Sequence, residues 1–124
     1  MKKINLKIAF KDRRGKIIDL IEGEKINAIT SITIKKGAIR GNHYHKKTWQ
    51  WNYIVSGKMK LITKMLNKKI KKTLLNPGDL ALILPGELHA LIGIKDCKFL
   101  VFTKGPRGGK EYKSDTFRLE KLLV

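Results

Sequence analysis

A single cysteine, Cys97, leaves the chain with no internal disulfide, so burial and hydrogen bonding must hold the fold. Beside Phe99 and Leu100 this thiol reads as a buried, inert core group. Long apolar runs are also missing. None approaches the roughly 20 residues that a membrane helix needs. Met1-Lys2-Lys3 leads into alternation and not into the apolar core of a signal peptide, so a cytoplasmic protein away from membranes is expected. Gly-rich phosphate loops, nucleophile elbows and Cys-x-x-Cys pairs are absent, which sets aside dinucleotide binding, serine-hydrolase and dithiol chemistry. Acidic residues are few. Ten Asp and Glu face 28 Lys and Arg, giving a net charge of +18. That balance suits an anionic partner. The lysines are spread along the whole chain, however, and no zinc-finger, helix-turn-helix or RRM signature accompanies them, so nucleic acid is not the expected partner.

What the 124 residues do contain is a series of short β patterns separated by turn signals. Ile4, Leu6, Ile8 and Phe10 alternate along one face. Asp12-Arg13-Arg14-Gly15 reads as a turn, followed by strands over Lys16 to Glu22 and Ala28 to Ile34. Gln50 to Val55 is a strong strand, and Ser56-Gly57 reads as a hairpin turn into Lys58 to Lys64. Ile70 to Leu75, Leu80 to Leu84, Ala90 to Ile94 and Lys98 to Phe102 follow, with turns at Leu66-Lys69 and Asn76-Asp79. Lys104 to Lys113, rich in glycine, reads as a mobile loop. Asp115 to Leu123 reads as a short C-terminal helix or terminal strand. The class is all-β, a sandwich or small barrel, in one domain over residues 1–124.

All three histidines fall within one two-part pattern. The first part runs Gly37-Ala38-Ile39-Arg40-Gly41-Asn42-His43-Tyr44-His45, continues through Gln50 and ends at Gly57. The second runs from Gly78 through Pro85-Gly86-Glu87-Leu88 to His89. His43 and His45, two apart on a strand, project to the same face. Gln50, Asn52 and Ile54 share a face of the next strand. Trp49, Trp51 and Tyr53 then occupy the opposite face, an apolar surface too costly to leave in water. A homodimer interface is the expected cover. The alternative is the N-terminal strand of the same chain.

The two-part pattern resembles the paired motifs of the cupin superfamily, which implies a double-stranded β-helix, or jelly-roll barrel. Cupins usually carry Glu at the position of Gln50, Pro at Leu84 and Asn at Gly93. Arg40-Gly41-Asn42-His43-Tyr44-His45-Lys46-Lys47, followed by Gln50, is similar to a stretch of the dTDP-4-keto-6-deoxyhexose 3,4-ketoisomerases and related sugar-nucleotide cupins. So is Asp12-Arg13-Arg14-Gly15. Those ketoisomerases carry tyrosines where this chain has Thr30 and Ser31.

The resemblance implies an isomerase or epimerase acting on a nucleotide-linked keto-hexose. His43 and His45 are then the proton carriers. Arg40, Gln50, Asn52 and His89 are the substrate contacts, with Arg40 holding an anionic group. Lys46 and Lys47 extend the anion path, and Glu87 acts as a base or orients His89. No cofactor is required in that reading. The rival is a metal-dependent, dioxygenase-like cupin in which His43, His45, Gln50 and His89 hold a divalent transition metal such as Zn, Ni, Fe, Mn or Cu. A non-catalytic module binding sugars or phosphorylated ligands is the third reading.

Overall fold

The computed structural model describes residues 1–107 and 111–124. Gly108, Gly109 and Lys110, part of the expected mobile loop, lie outside the described residues. Among the described residues period-two alternation yields ten strands: β1 (Lys2–Ile4), β2 (Ile8–Asp12), β3 (Gly15–Ile18), β4 (Ala28–Ile34), β5 (Ile39–Tyr44), β6 (Trp49–Lys64), β7 (Lys71–Leu75), β8 (Leu80–Ile83), β9 (Leu88–Lys104) and β10 (Phe117–Arg118). A single helical turn, α1 (Glu111–Ser114), precedes β10. The C-terminal helix therefore comes earlier than Asp115, and the segment after it is part strand and part extended tail. No helix among the described residues is long and apolar enough to cross a membrane.

Eight strands form one antiparallel system in the order β1-β8-β6-β9-β5-β10, with β4 on β9 and β7 on β6. Strands β2 and β3 pair only with each other. The fold is the cupin jelly roll. Two long strands, β6 and β9, pair along almost their whole length, from Trp49↔Lys104 to Lys64↔Leu88.

Here one expectation fails. Ser56-Gly57 is not a hairpin turn but an irregularity inside β6, where the register with β9 shifts. Gly57 has φ 83°, and a Cβ placed there would lie 2.0 Å from the Asp96 carbonyl oxygen. A glycine between apolar stretches marks a bulge as readily as a turn. In the same way, Ala90–Ile94 and Lys98–Phe102 are one continuous strand.

Period two also sorts the core. Ile54, Met59, Leu61, Leu75, Ala81, Ile83, Leu91, Cys97, Phe99 and Val101 fill the interior with Ile34. Cys97 is buried as expected, and burial raises its thiol pKa. Trp51, Leu82 and Phe102 align across β6, β8 and β9 on the opposite face. That face carries a second apolar cluster. Ile4, Leu6, Leu20, Ile21 and Ile26 of the N-terminal segment cover Trp49, Trp51 and Tyr53, leaving Trp51 only 6% exposed. Trp51 is therefore covered by the N-terminal segment of its own chain, while Trp49 and Tyr53 on the same face stay partly exposed. The β2–β3 hairpin between Leu6 and Leu20 adds nothing to this cluster, and its Ile8 and Phe10 are about half exposed, at 50% and 52%.

Candidate active site: a histidine cluster in a cationic pocket

β5 and β9 bring two histidines side by side, with His43 directly across from His89. Thr63 of β6 flanks His89 on the other side. The register shifts between Gly41 and His43, and Asn42 is the extra residue. Gly41 and Asn42 both take left-handed backbone, with φ 87° and 55°, as such a bulge requires. A Cβ on Gly41 would come within 2.9 Å of the His89 carbonyl oxygen, so this glycine permits the close approach of the two strands.

His45 lies behind His43. Ring centroids are 4.9 Å apart for His43–His45, 4.6 Å for His43–His89 and 5.3 Å for His45–His89. One ligand-competent atom from each histidine lies within 4.8 Å of the others.

The tautomers follow from their partners. His45 Nδ1 is 2.8 Å from the Asp115 carbonyl oxygen. A carbonyl only accepts, so Nδ1 carries the proton and Nε2 keeps its lone pair. His89 Nδ1 likewise donates to the Glu87 carbonyl at 3.1 Å. His43 Nδ1 and His45 Nε2 are buried without a hydrogen-bond partner. Buried polar atoms left in this state point to a ligand, a water or an ion.

All three imidazoles are held neutral at physiological pH. Burial, with positive charge from His45, Arg118 and Arg107, pulls His43 down to about 4. His89 lies well below the usual histidine value, from burial and then from His43 and His45. Burial also lowers His45, partly offset by the Asp115 carbonyl and by the nearby Gln50 side chain.

The cluster opens into a cavity of 510 Å³, within the size range of small-ligand sites. His43, His89, Gln50 and Asn52 line its polar interior, and Arg40, Arg107 and Arg118 add positive charge. Arg40 Nε donates to the Thr33 carbonyl at 3.1 Å, and an Arg118 guanidinium nitrogen donates to the Gly41 carbonyl at 3.2 Å. Each guanidinium is thereby oriented while keeping other donors for an anion.

Arg40, His43, Gln50, Asn52 and His89, expected as site residues, all line the cavity. His45 is in the cluster but is not among the lining residues. The proposed roles of three other residues need correction. Lys46 turns to the outer face, its Nζ 4.3 Å above the Phe117 ring, and neither Lys46 nor Lys47 lines the cavity. Glu87 is not a rim carboxylate. It is 2% exposed, and its carboxylate accepts from the Met1 amine and the Leu84 N–H. Its influence on His89 passes through its backbone carbonyl.

Reading the sequence missed the C-terminal contribution: Arg107, Arg118, Leu119, Leu122 and Asp115. Asp115 is 4% exposed, and its carboxylate accepts from the Lys46 and Lys47 N–H groups and from the Thr48 hydroxyl. Burial opposes the charged form, but the bonds from Thr48, Lys47 and Lys46 outweigh it and hold the pKa below the carboxylate range.

As a donor set, three neutral imidazoles suit a divalent transition metal, and two are fixed by Nδ1–H bonds to carbonyls, as metal-bound histidines commonly are. The charge does not suit one. Among the described residues no carboxylate lies in the cluster, and three arginines line the same cavity. Its positive field favours an anion.

Fold and pocket together define a cupin jelly roll with a histidine-lined, anion-attracting cavity. Residues 10–102 match the polysaccharide biosynthesis C-terminal domain, and the chain belongs to that family. No curated protein matches it in sequence. Among solved structures, it is similar to QdtA, a sugar 3,4-ketoisomerase from Thermoanaerobacterium thermosaccharolyticum, in complex with TDP. Identity is 25%, the TM-score is 0.78, and 96% of this chain and 88% of that one are covered. A histidine-to-asparagine variant of QdtA in complex with TDP-4-keto-6-deoxyglucose matches at 25% identity and TM-score 0.77, over 94% and 86% of the two chains. The WlaRB TDP-quinovose 3,4-ketoisomerase from Campylobacter jejuni shares the fold at 22% identity and TM-score 0.79, over 94% and 91%.

Proposed function

We propose that this protein is an isomerase or epimerase of a nucleotide-linked keto-hexose, working by proton transfer through its histidine cluster. The observation that carries this reading is the pairing of neutral imidazoles with arginines in one cavity, on a chain similar to a TDP-bound ketoisomerase. The arginines hold the diphosphate, and Gln50, Asn52 and His89 contact sugar oxygens. His43 faces the reacting carbon, with His45 behind it. The C–H bond beside the ketone breaks, its proton passes to an imidazole nitrogen, and the electron pair enters an enediolate. The proton of the adjacent hydroxyl passes to the former ketone oxygen, and return of a proton to the neighbouring carbon completes the isomerisation, with no net oxidation; return to the original carbon from the other face gives epimerisation. The arginine field also stabilises the anionic intermediate. A negative substrate raises the basicity of a buried imidazole, so His43 becomes a competent base when the ligand arrives.

Incubation in D₂O with a TDP- or UDP-linked 4-keto-hexose is expected to place deuterium at the carbon beside the ketone, read by NMR. No exchange with any such sugar, together with no thermal stabilisation by TDP or UDP, would reject this reading.

A second reading rests on the buried, unpartnered His45 Nε2. His43, His45 and His89 would hold a divalent transition metal, with Gln50 as an oxygen donor, and the metal would supply Lewis-acid chemistry. Stoichiometric metal in the purified protein, with no exchange of nucleotide sugars, decides for it.

The pH profile is fixed by the sign of the shifts. A base must be neutral to act, and His43 stays neutral down to about 4. The kcat/KM profile is therefore expected to be flat from pH 8 to about 5 and to fall only near pH 4. The acid limb of kcat, which reports the complex, should lie at higher pH. Folding stability follows the same shift. Above pH 6.5 the imidazole is neutral in both states, and below it the unfolded chain takes up the proton first. Stability is lost progressively from pH 6.5 towards 4.

A further inference from the structure

Lysines are spread along the chain, but carboxylates are not. Residues 25–78 contain no Asp or Glu. Seven of the lysines in that stretch fall within residues 58–72, on the β6–β7 hairpin. None of the seven forms an ion pair among the described residues. At the hairpin tip the Met65 carbonyl accepts from the Lys68 N–H at 3.1 Å, closing a turn with Leu66 and Asn67 at its centre. Asn67 takes left-handed backbone there, at φ 61°. This defined turn holds Leu66 out in water. At 85% exposure it is the most exposed large apolar side chain among the described residues. Lys64, Lys68, Lys69, Lys71 and Lys72 flank it in sequence, and Ile70 and Leu74 are each about half exposed. Met59, Leu61 and Leu75 turn one face of the hairpin to the core. By alternation and register, Lys60, Lys64, Lys72 and Leu74 therefore lie on its outer face.

We infer that the β6–β7 hairpin docks on an anionic lipid bilayer, with Leu66 entering the acyl boundary and the lysines lying against the headgroups. Clustered lysines are drawn to the negative surface potential of such a bilayer, and an exposed aliphatic tip gains by leaving water. Two other occupants match the surface less closely. Residues 58–78 hold no Arg and no aromatic side chain, so a nucleic acid would find neither bidentate forks nor stacking faces. A second copy carries the same net charge of +18 and is repelled. A contact of this kind lies within the headgroup region and needs no membrane-spanning element. No residue of the hairpin lines the histidine cavity, so docking leaves the cavity free and stands apart from the nucleotide-sugar reading.

The test is co-sedimentation of the full chain with vesicles of phosphatidylcholine alone, or of equal parts phosphatidylcholine and phosphatidylglycerol. Wild type is expected to bind the mixed vesicles and not the neutral ones, more weakly as salt rises. Leu66→Ser should weaken binding about tenfold, and Lys68→Glu/Lys69→Glu about a hundredfold. Lys11→Glu/Lys16→Glu makes the same change of charge on the β2–β3 hairpin, where both lysines are exposed and paired in register. It should weaken binding by less than about threefold, because its charges lie away from the contact. All of these side chains except the core-facing ones named above are exposed, so the variants keep the fold. Leu66→Trp places a reporter at the tip, and its emission should shift to the blue on mixed vesicles. Failure of wild type to sediment with mixed vesicles overturns the proposal. So does unchanged binding by Leu66→Ser or an unshifted emission in Leu66→Trp. Equal losses in the two charge-reversed variants also overturn it, and assign the binding to net charge alone. Tighter binding of a single-stranded RNA oligonucleotide than of mixed vesicles, lost in Lys68→Glu/Lys69→Glu, overturns it and makes the hairpin a nucleic-acid contact.

Discussion

Replacing His43 with asparagine is expected to lower solvent exchange at the sugar carbon by about 10²–10⁴-fold while TDP still stabilises the protein. The carbamoyl group of asparagine can hydrogen-bond but cannot carry a proton at neutral pH. His43 is the histidine whose position matches the role. It lines the cavity, sits beside Arg118 in the register of β5 and β10, and has a buried nitrogen with no partner. The fold should tolerate the change, because His43 is only half-buried and belongs to neither apolar cluster. Removing it also lifts one of the positive influences on His89. Exchange within tenfold of wild type would remove His43 from the mechanism and move the proton transfer to His89, the other imidazole lining the cavity.

Much of this site was legible in the sequence because strands encode faces locally. Gln50, Asn52 and Ile54 point inward and Trp51 outward by period two alone, and the structure keeps that division. The two motifs placed His43 and His89 in one pocket because they lie on neighbouring strands. Three kinds of information were not local. A glycine between two strand patterns does not say whether the chain turns back or merely kinks. At Gly57 the close approach of Asp96 decides, and that residue is 39 positions away. Nor does an apolar strand face say what covers it. The N-terminal segment takes that place over Trp51, where the pattern alone favours a second copy. Finally, the tail from Asp115 onward carries no periodic signal. It is brought to the site by backbone pairing and carbonyl contacts, which any sequence can make, and only there do its side chains reach the cavity.

Asp115 is where that hidden contribution is largest, and Asp115→Ala should show it in two measurements at once. The carboxylate joins the C-terminal segment to the turn after His45. It receives hydrogen bonds from the Lys46 and Lys47 N–H groups at 3.0 Å each and from the Thr48 hydroxyl at 2.6 Å. Alanine leaves three donors without their acceptor, two of them next to a buried histidine. Loss of a buried, charge-assisted acceptor of this kind costs about 3 kcal/mol, or roughly 10 °C in Tm for a chain of this size. The second effect concerns His45. The Asp115 carbonyl fixes its Nδ1 proton, and that carbonyl is held in place by the same side chain. With the anchor gone, the imidazole is free to exchange tautomers. Its ¹⁵N resonances should move from a clear Nδ1–H pattern towards an averaged one, a change that loss of stability alone does not produce. Asp115→Asn keeps one oxygen acceptor and should recover part of both effects. A Tm within about 2 °C of wild type, with an unchanged ¹⁵N pattern in the alanine variant, would show that the tail merely lies beside the histidine cluster and does not set its protonation.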